Sequence, residues 1–328
     1  MNGSNQSPIS SLDKVRFTSG IDGLKGFFRD LVKHDSEKAE NLINDNNLHF
    51  CSLFVLQPEI KKLTNLNSRN KNVLNFMNGL QTRDDLDEKD SSFDYEQMNY
   101  SDLKWIISTG HFDDGLNNEY DEILDTTALL LIKVHKDKSI LEILVEMVFN
   151  RHRKGLYFYD LAGAFFEAND PINILIIANR LRSNNLNDVE LARKLLSFIP
   201  CKDERIKNDR FMLYQYYYNW VQENYPFVYF TGESFQQTKN PIVYDVSLQA
   251  KYLCKFLSDK SDSTLRGLTE DKNILLERFD KLGEDVQIML SNFSYLLYRK
   301  NIYWWNAWIH YPVLEQIKIA RTMIGGIS

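Results

Sequence analysis

The sequence predicts an all-α fold, either a multihelical bundle or a short α-solenoid of antiparallel helix hairpins. At most one short β-like segment is expected, near 226–230. Three observations carry this. Apolar residues recur at helical spacing, as in Ile123, Thr127, Leu130, Leu131 and Val134. Helical segments of about 12–16 residues with short polar joints follow one another from about 119 to 324. Strand-like alternation does not persist outside the 226–230 run.

Taken in order, residues 1–19 are Ser/Asn-rich with little periodicity and read as a flexible tail. Residues 20–80 read as a small helical N-terminal unit. Leu24, Phe27, Phe28 and Leu31 share a face there, and the buried run HFCSLFVLQPE stops near Pro58. Residues 81–100 read as an acidic linker without helical period. From 81 to 125 there are fourteen Asp/Glu against three Lys/Arg, so this stretch holds −11 of a chain whose net charge is −6.

Residues 101–328 read as the main helical domain. SILEILVEMVF (139–149) is apolar on most sides, as a buried helix would be. Gly155 is a natural C-terminal stop and Asp170-Pro171 a natural helix start. Asn187 and Asp188 offer caps for a helix that Pro200 ends. Val246, Ala250, Leu253 and Leu257 share a face, as do Val286, Met289, Leu290, Phe293, Leu296 and Leu297. DVELARKLLSFIP resembles the second helix of a tetratricopeptide unit, but its alanine-to-proline spacing differs and no second copy follows at 34 residues.

Composition bounds the function. With 328 residues, 43% hydrophobic and 26% charged, the chain can bury a sizeable core. Its negative net charge gives no overall attraction to nucleic acid or anionic membrane. Cys51, Cys201 and Cys254 are dispersed and odd in number, which predicts free thiols in a reducing compartment. The polar N-terminal run lacks a secretory pattern, and apolar runs such as ALLLIKV are too short to span a bilayer. A soluble, cytoplasmic chain without a cofactor is expected.

Several clusters invite a chemical reading. Ser234 follows a strand-like run in GESFQ, but the second glycine of G-x-S-x-G is missing, so a turn is the better account. His34-Asp35 lacks any upstream histidine for a metal phosphohydrolase pattern. His111, Asp113 and Asp114 would present an imidazole and two carboxylates to a metal, as in a metal-dependent hydrolase, although the EF-hand order fails. Arg151, Arg153 and Lys154, joined by Arg182, would bind phosphate or nucleic acid if they formed one patch. Their bland alternative is a helix C-terminus, where basic residues complement the dipole.

Aromatic density carries the preferred reading. Residues 211–230 hold ten aromatics, and 303–311 (YWWNAWIHY) hold five, including three of the five tryptophans. Trp304 and Trp308 are four apart and share a helical face, with Trp305 pointing elsewhere. Aromatics near arginine are enriched at interface hot spots, and Arg299 precedes Tyr303, Trp304, Trp305 and Trp308. Packing in the core is the competing explanation. The function expected is non-enzymatic protein–protein interaction or assembly, with another protein or a second copy as partner. The acidic segment and the C-terminal aromatics would be its contact surfaces. A metal-dependent hydrolase and a nucleic-acid-binding helical module are the alternatives.

Overall fold

Ser10 opens the first helix: its hydroxyl accepts from the Asp13 backbone N–H at 3.0 Å. In this computed structural model the described residues are 9–81 and 98–325. They are predominantly α-helical, with one two-stranded antiparallel sheet. The chain divides into two compact units, Met1–Ala168 and Asn169–Ser328.

The first unit contains α1 (Ser11–His34), α2 (Ser36–Ile43), α3 (Phe50–Val55), α4 (Gln57–Ile60), α5 (Ser68–Gln81), α6 (Tyr100–Gly110), α7 (Asn118–Lys133), α8 (Leu141–Lys154) and α9 (Tyr159–Phe166). Of the expected tail, residues 1–8 lie outside the described set, while Ser11 onward is helical. The Ser10 cap and the burial of Leu12, Asp13 and Arg16 hold that first turn in place. Gly20 kinks α1 with φ 72°, a left-handed conformation that glycine adopts without steric cost. Every residue of α3 is buried, and Pro58 opens α4 rather than ending the run.

Most of the expected acidic linker lies outside the described residues. The segments flanking it nevertheless pack as one unit. Trp105 of α6 meets Phe50 of α3 edge-on at 6.0 Å, and the Arg69 guanidinium of α5 lies 4.3 Å from a Trp105 ring centroid. Asn72 donates to Asp102 at 2.8 Å. Segment 20–80 packs on α7 as well, with Phe50 stacked on Tyr120 at 5.1 Å between ring centroids.

The second unit contains α10 (Ile174–Ala178), α11 (Leu186–Leu195), α12 (Glu204–Asn208), α13 (Arg210–Asn224), β1 (Val228–Phe230), β2 (Tyr244–Val246), α14 (Leu248–Tyr252), α15 (Glu270–Phe279), α16 (Glu284–Lys300), α17 (Ile302–Trp308) and α18 (Val313–Gly325). Asp170 caps a 3₁₀ turn at Pro171–Asn173 that leads into α10. Asn185, not Asn187 or Asp188, caps α11. The β-like run is real: Val228 pairs with Val246 and Phe230 with Tyr244. The expected helical face through Val246 and Leu257 is therefore broken. Val246 belongs to β2, α14 lasts five residues, and Cys254 takes a positive φ of 48° just after it.

Candidate functional site

The last three helices share a core that dictates what they leave outside. Phe293 and Leu297 of α16, Trp308 and Ile309 at the end of α17, and Ala320 of α18 are buried together, with Trp305, Val313 and Ile317 packed against them. Trp308 is 3% exposed and meets Phe293 at 5.2 Å and Tyr252 at 6.2 Å. Trp305 is half-buried and donates from its indole N–H to Ser294 Oγ at 2.8 Å. That hydroxyl in turn donates to the Tyr252 carbonyl at 2.5 Å, which ties α17 to α16 and α14.

These contacts divide the expected docking set. Trp305 and Trp308 belong to the core, and Tyr303 and Trp304 to the surface, at 82% and 63% exposed. Trp304 and Trp308 are four apart on α17, yet Trp308 is buried and Trp304 exposed. Ile309 is also buried, so the inward arc is centred between Trp305 and Trp308. Trp304 lies about a quarter turn from that centre. Asn301 holds the exposed pair in place, since its side-chain oxygen accepts from the backbone N–H of both Tyr303 and Trp304 at 3.1 Å. The Arg299 guanidinium sits 5.7 Å from the Tyr295 ring centroid.

The exposed apolar residues extend beyond the predicted ones. Leu296, Ile302, Tyr311 and Met323 are exposed, and Leu314 is 81% exposed. Buried Gln316 supports the turn before α18. Its amide nitrogen donates to the carbonyls of Ile309 and Tyr311 at 3.0 Å each, and its oxygen accepts from Tyr252 at 2.8 Å. Leu314, Lys318 and Arg321 follow i, i+4, i+7, and all three are exposed on one face of α18. Between Arg299 and Gly325 the charged residues are Arg299, Lys300, Lys318 and Arg321 against Glu315 alone. The segment is therefore apolar and basic together.

The side chains of the acidic constellation each have other partners. His111 Nδ1 lies 3.0 Å from the Ile107 carbonyl, within its own helix end. Asp113 pairs with Arg16 at 2.5 Å, and Asp114 pairs with Arg151 at 2.8 Å. Among the described residues no group of three or more His, Cys, Asp or Glu side chains is placed to hold a metal ion.

Arg151 is 2% exposed and is enclosed by carboxylates: Asp114 and Asp125 at 2.8 Å and Asp121 at 4.0 Å. Burial pushes the Asp125 carboxyl up to about 7, and the neighbouring Asp160 and Asp114 charges add to the rise against the opposing pull of Arg151. Arg153 bonds Glu146 at 3.0 Å, and Lys154 donates to the Asp114 carbonyl at 3.0 Å. Gly155 ends α8 in the left-handed conformation, as expected. Arg182 belongs to the second unit, where its guanidinium lies 5.3 Å from the Tyr214 ring centroid.

Ser234 sits in the turn after β1, with Gly232 at φ 88°, and its hydroxyl lies 3.4 Å from Gln236 Oε1. The three cysteines are free thiols, with Cys51 buried. A cavity of about 160 Å³ in the Lys255–Arg266 loop is smaller than the roughly 300 Å³ at which ligand pockets begin. No described helix is long and apolar enough to cross a membrane.

Sequence reasoning missed Lys251. It is buried, and its ammonium donates to Asn224 Oδ1 and Asn292 Oδ1 at 2.6 Å each. Burial pulls it down to about 8. No spacing rule flags a lysine whose partners lie 27 and 41 residues away.

Compared with known proteins, the chain matches no family model, no curated protein and no solved structure.

Proposed function

We propose that this chain is a non-enzymatic interaction or assembly protein that docks partners through the outward face of α17 and α18. One observation carries the reading: Tyr303, Trp304 and Leu314 stay largely exposed on helices whose opposite faces fill a core. Scattered exposed apolar residues are ordinary, but a run of them within one short segment marks an interaction surface. Tyrosine, tryptophan and arginine are also the side chains that dominate interface energetics. The Asn301 cap and the Gln316 bonds pre-order this surface, which lowers the entropy lost on binding.

The test is quantitative capture from native lysate with the full chain, beside a Tyr303→Ser, Trp304→Ser variant that retains its circular dichroism spectrum. The expected result is specific protein capture reduced at least about tenfold in the variant, the equivalent of roughly 1.4 kcal/mol. Equal capture by both chains would assign binding to another surface.

A further inference from the structure

The face of α17 and α18 is apolar and basic, and the same chain carries a segment of opposite character. Residues 82–97 contain Asp84, Asp85, Asp87, Glu88, Asp90, Asp94 and Glu96 against Arg83 and Lys89. Leu86, Phe93 and Tyr95 are interspersed among them. This is the composition that the exposed Tyr303 and Trp304 of α17 and the exposed Leu314, Lys318 and Arg321 of α18 would select. Apolar side chains would cover the aromatics while carboxylates face the cations.

We infer that this surface takes the acidic segment 82–97 of a second copy of the chain, so that the protein self-associates. The inference rests on the proposed docking role of α17 and α18 and names its occupant. Charge complementarity carries it. The surface segment holds four cations and one carboxylate, and the occupant seven carboxylates and two cations. Length permits it, because a sixteen-residue segment anchored at both ends in one unit reaches up to about 27 Å from its base. Each copy carries one surface and one acidic segment. An exchange of segments between two copies would give each surface an occupant.

The experiment is sedimentation velocity on the full chain across a concentration series, at low and high salt. One reversal is Lys318→Glu with Arg321→Glu. A second is Asp84→Lys with Asp85→Lys and Asp87→Lys. A third variant combines all five changes. Lys318 and Arg321 are exposed, so the first reversal leaves the core untouched.

The expected result is a dimer that weakens as salt screens the charges. Either reversal alone should weaken it by about tenfold or more, and the combined variant should recover it. A synthetic 82–97 peptide should compete with the dimer. A chain that stays monomeric at every concentration overturns the inference. So does a dimer indifferent to the Asp84–Asp87 reversal, or a combined variant no better than either single one. Binding to vesicles of anionic lipid, lost on the Lys318 and Arg321 reversal by a chain that remains monomeric, would make the occupant a membrane surface and overturn the inference too.

These outcomes are separable from failure of the broader docking role. A monomeric chain that still captures proteins through Tyr303 and Trp304 keeps the docking surface and loses only this occupant.

Discussion

Buried cations are handled in opposite ways around Arg151 in the first unit and at Lys251 in the second. In the first, Arg16 meets Asp113, Glu59 meets Arg29 at 3.0 Å, and Arg151 is enclosed by Asp114 and Asp125. In the second, the hydrogen bonds at the buried Lys251 ammonium run to two neutral amide oxygens. The hydrogen bonds of Ser294, Gln316 and Tyr252 in the core around α14 and α16–α18 join uncharged groups as well. The difference shows in the titrating groups. Cations held by carboxylates remain charged, as Arg151 does, with its pKa raised. A buried cation held by amides is drawn toward neutrality, as Lys251 is. The uncharged core around α16–α18 leaves strongly exposed aromatics on α17, which is why the proposed docking surface is placed there.

The comparison is broken or sharpened most forcefully at Arg151. Arg151→Met leaves Asp114 and Asp125 buried without their cation, and urea unfolding should show a loss of about 3–5 kcal/mol. A loss under about 1 kcal/mol would mean that the carboxylates protonate at little cost. Trp308→Ala tests the neutral interior. Emptying an indole from the α16–α18 core should cost about 3–5 kcal/mol by the same measurement.

Smaller effects separate the units by pH. The Asp125 carboxyl titrates at about 7 in the folded chain, against an ordinary 3.8. Between those values the folded state holds a proton that the unfolded state has released, so this group makes stability fall as pH rises from about 4 to 7. Asp125→Asn should remove that slope in urea titrations run at successive pH values. Lys251 titrates at about 8 in place of 10.5. Between those values the unfolded state holds the extra proton, so this group makes stability rise with pH above 8. The difference between wild type and Lys251→Met should grow across that window; a flat difference would show that Lys251 is not desolvated. The smallest expected effect on stability is that of Tyr303→Ser with Trp304→Ser, within about 0.5 kcal/mol in the same urea assay.

Legibility varied from element to element for physical reasons. α7 and α16 were visible because each buries one stripe and leaves the other face polar, which writes a helical period into the sequence. The Asp170 cap and the Gly155 stop were visible because capping is local chemistry. The extent of α14 and the inward side of α17 were not. A five- or seven-residue helix has too few turns to show a period, and the facing core chooses its inward side. Spacing alone does not mark Leu314, Lys318 and Arg321 as a surface, because exposure is a property of neighbours.

The sequence by itself determined the helical class, the short strand at 226–230, the absence of a disulfide framework and the location of the aromatic-rich segments. Each follows from spacing or composition within a few residues. Tertiary structure alone decided which tryptophans are core and which are surface. It also decided that Asp113 and Asp114 face arginines, that Arg151 is enclosed, and that Lys251 lies between two amides. Those outcomes depend on partners tens of residues apart, and no local pattern encodes a contact whose other half lies on another helix.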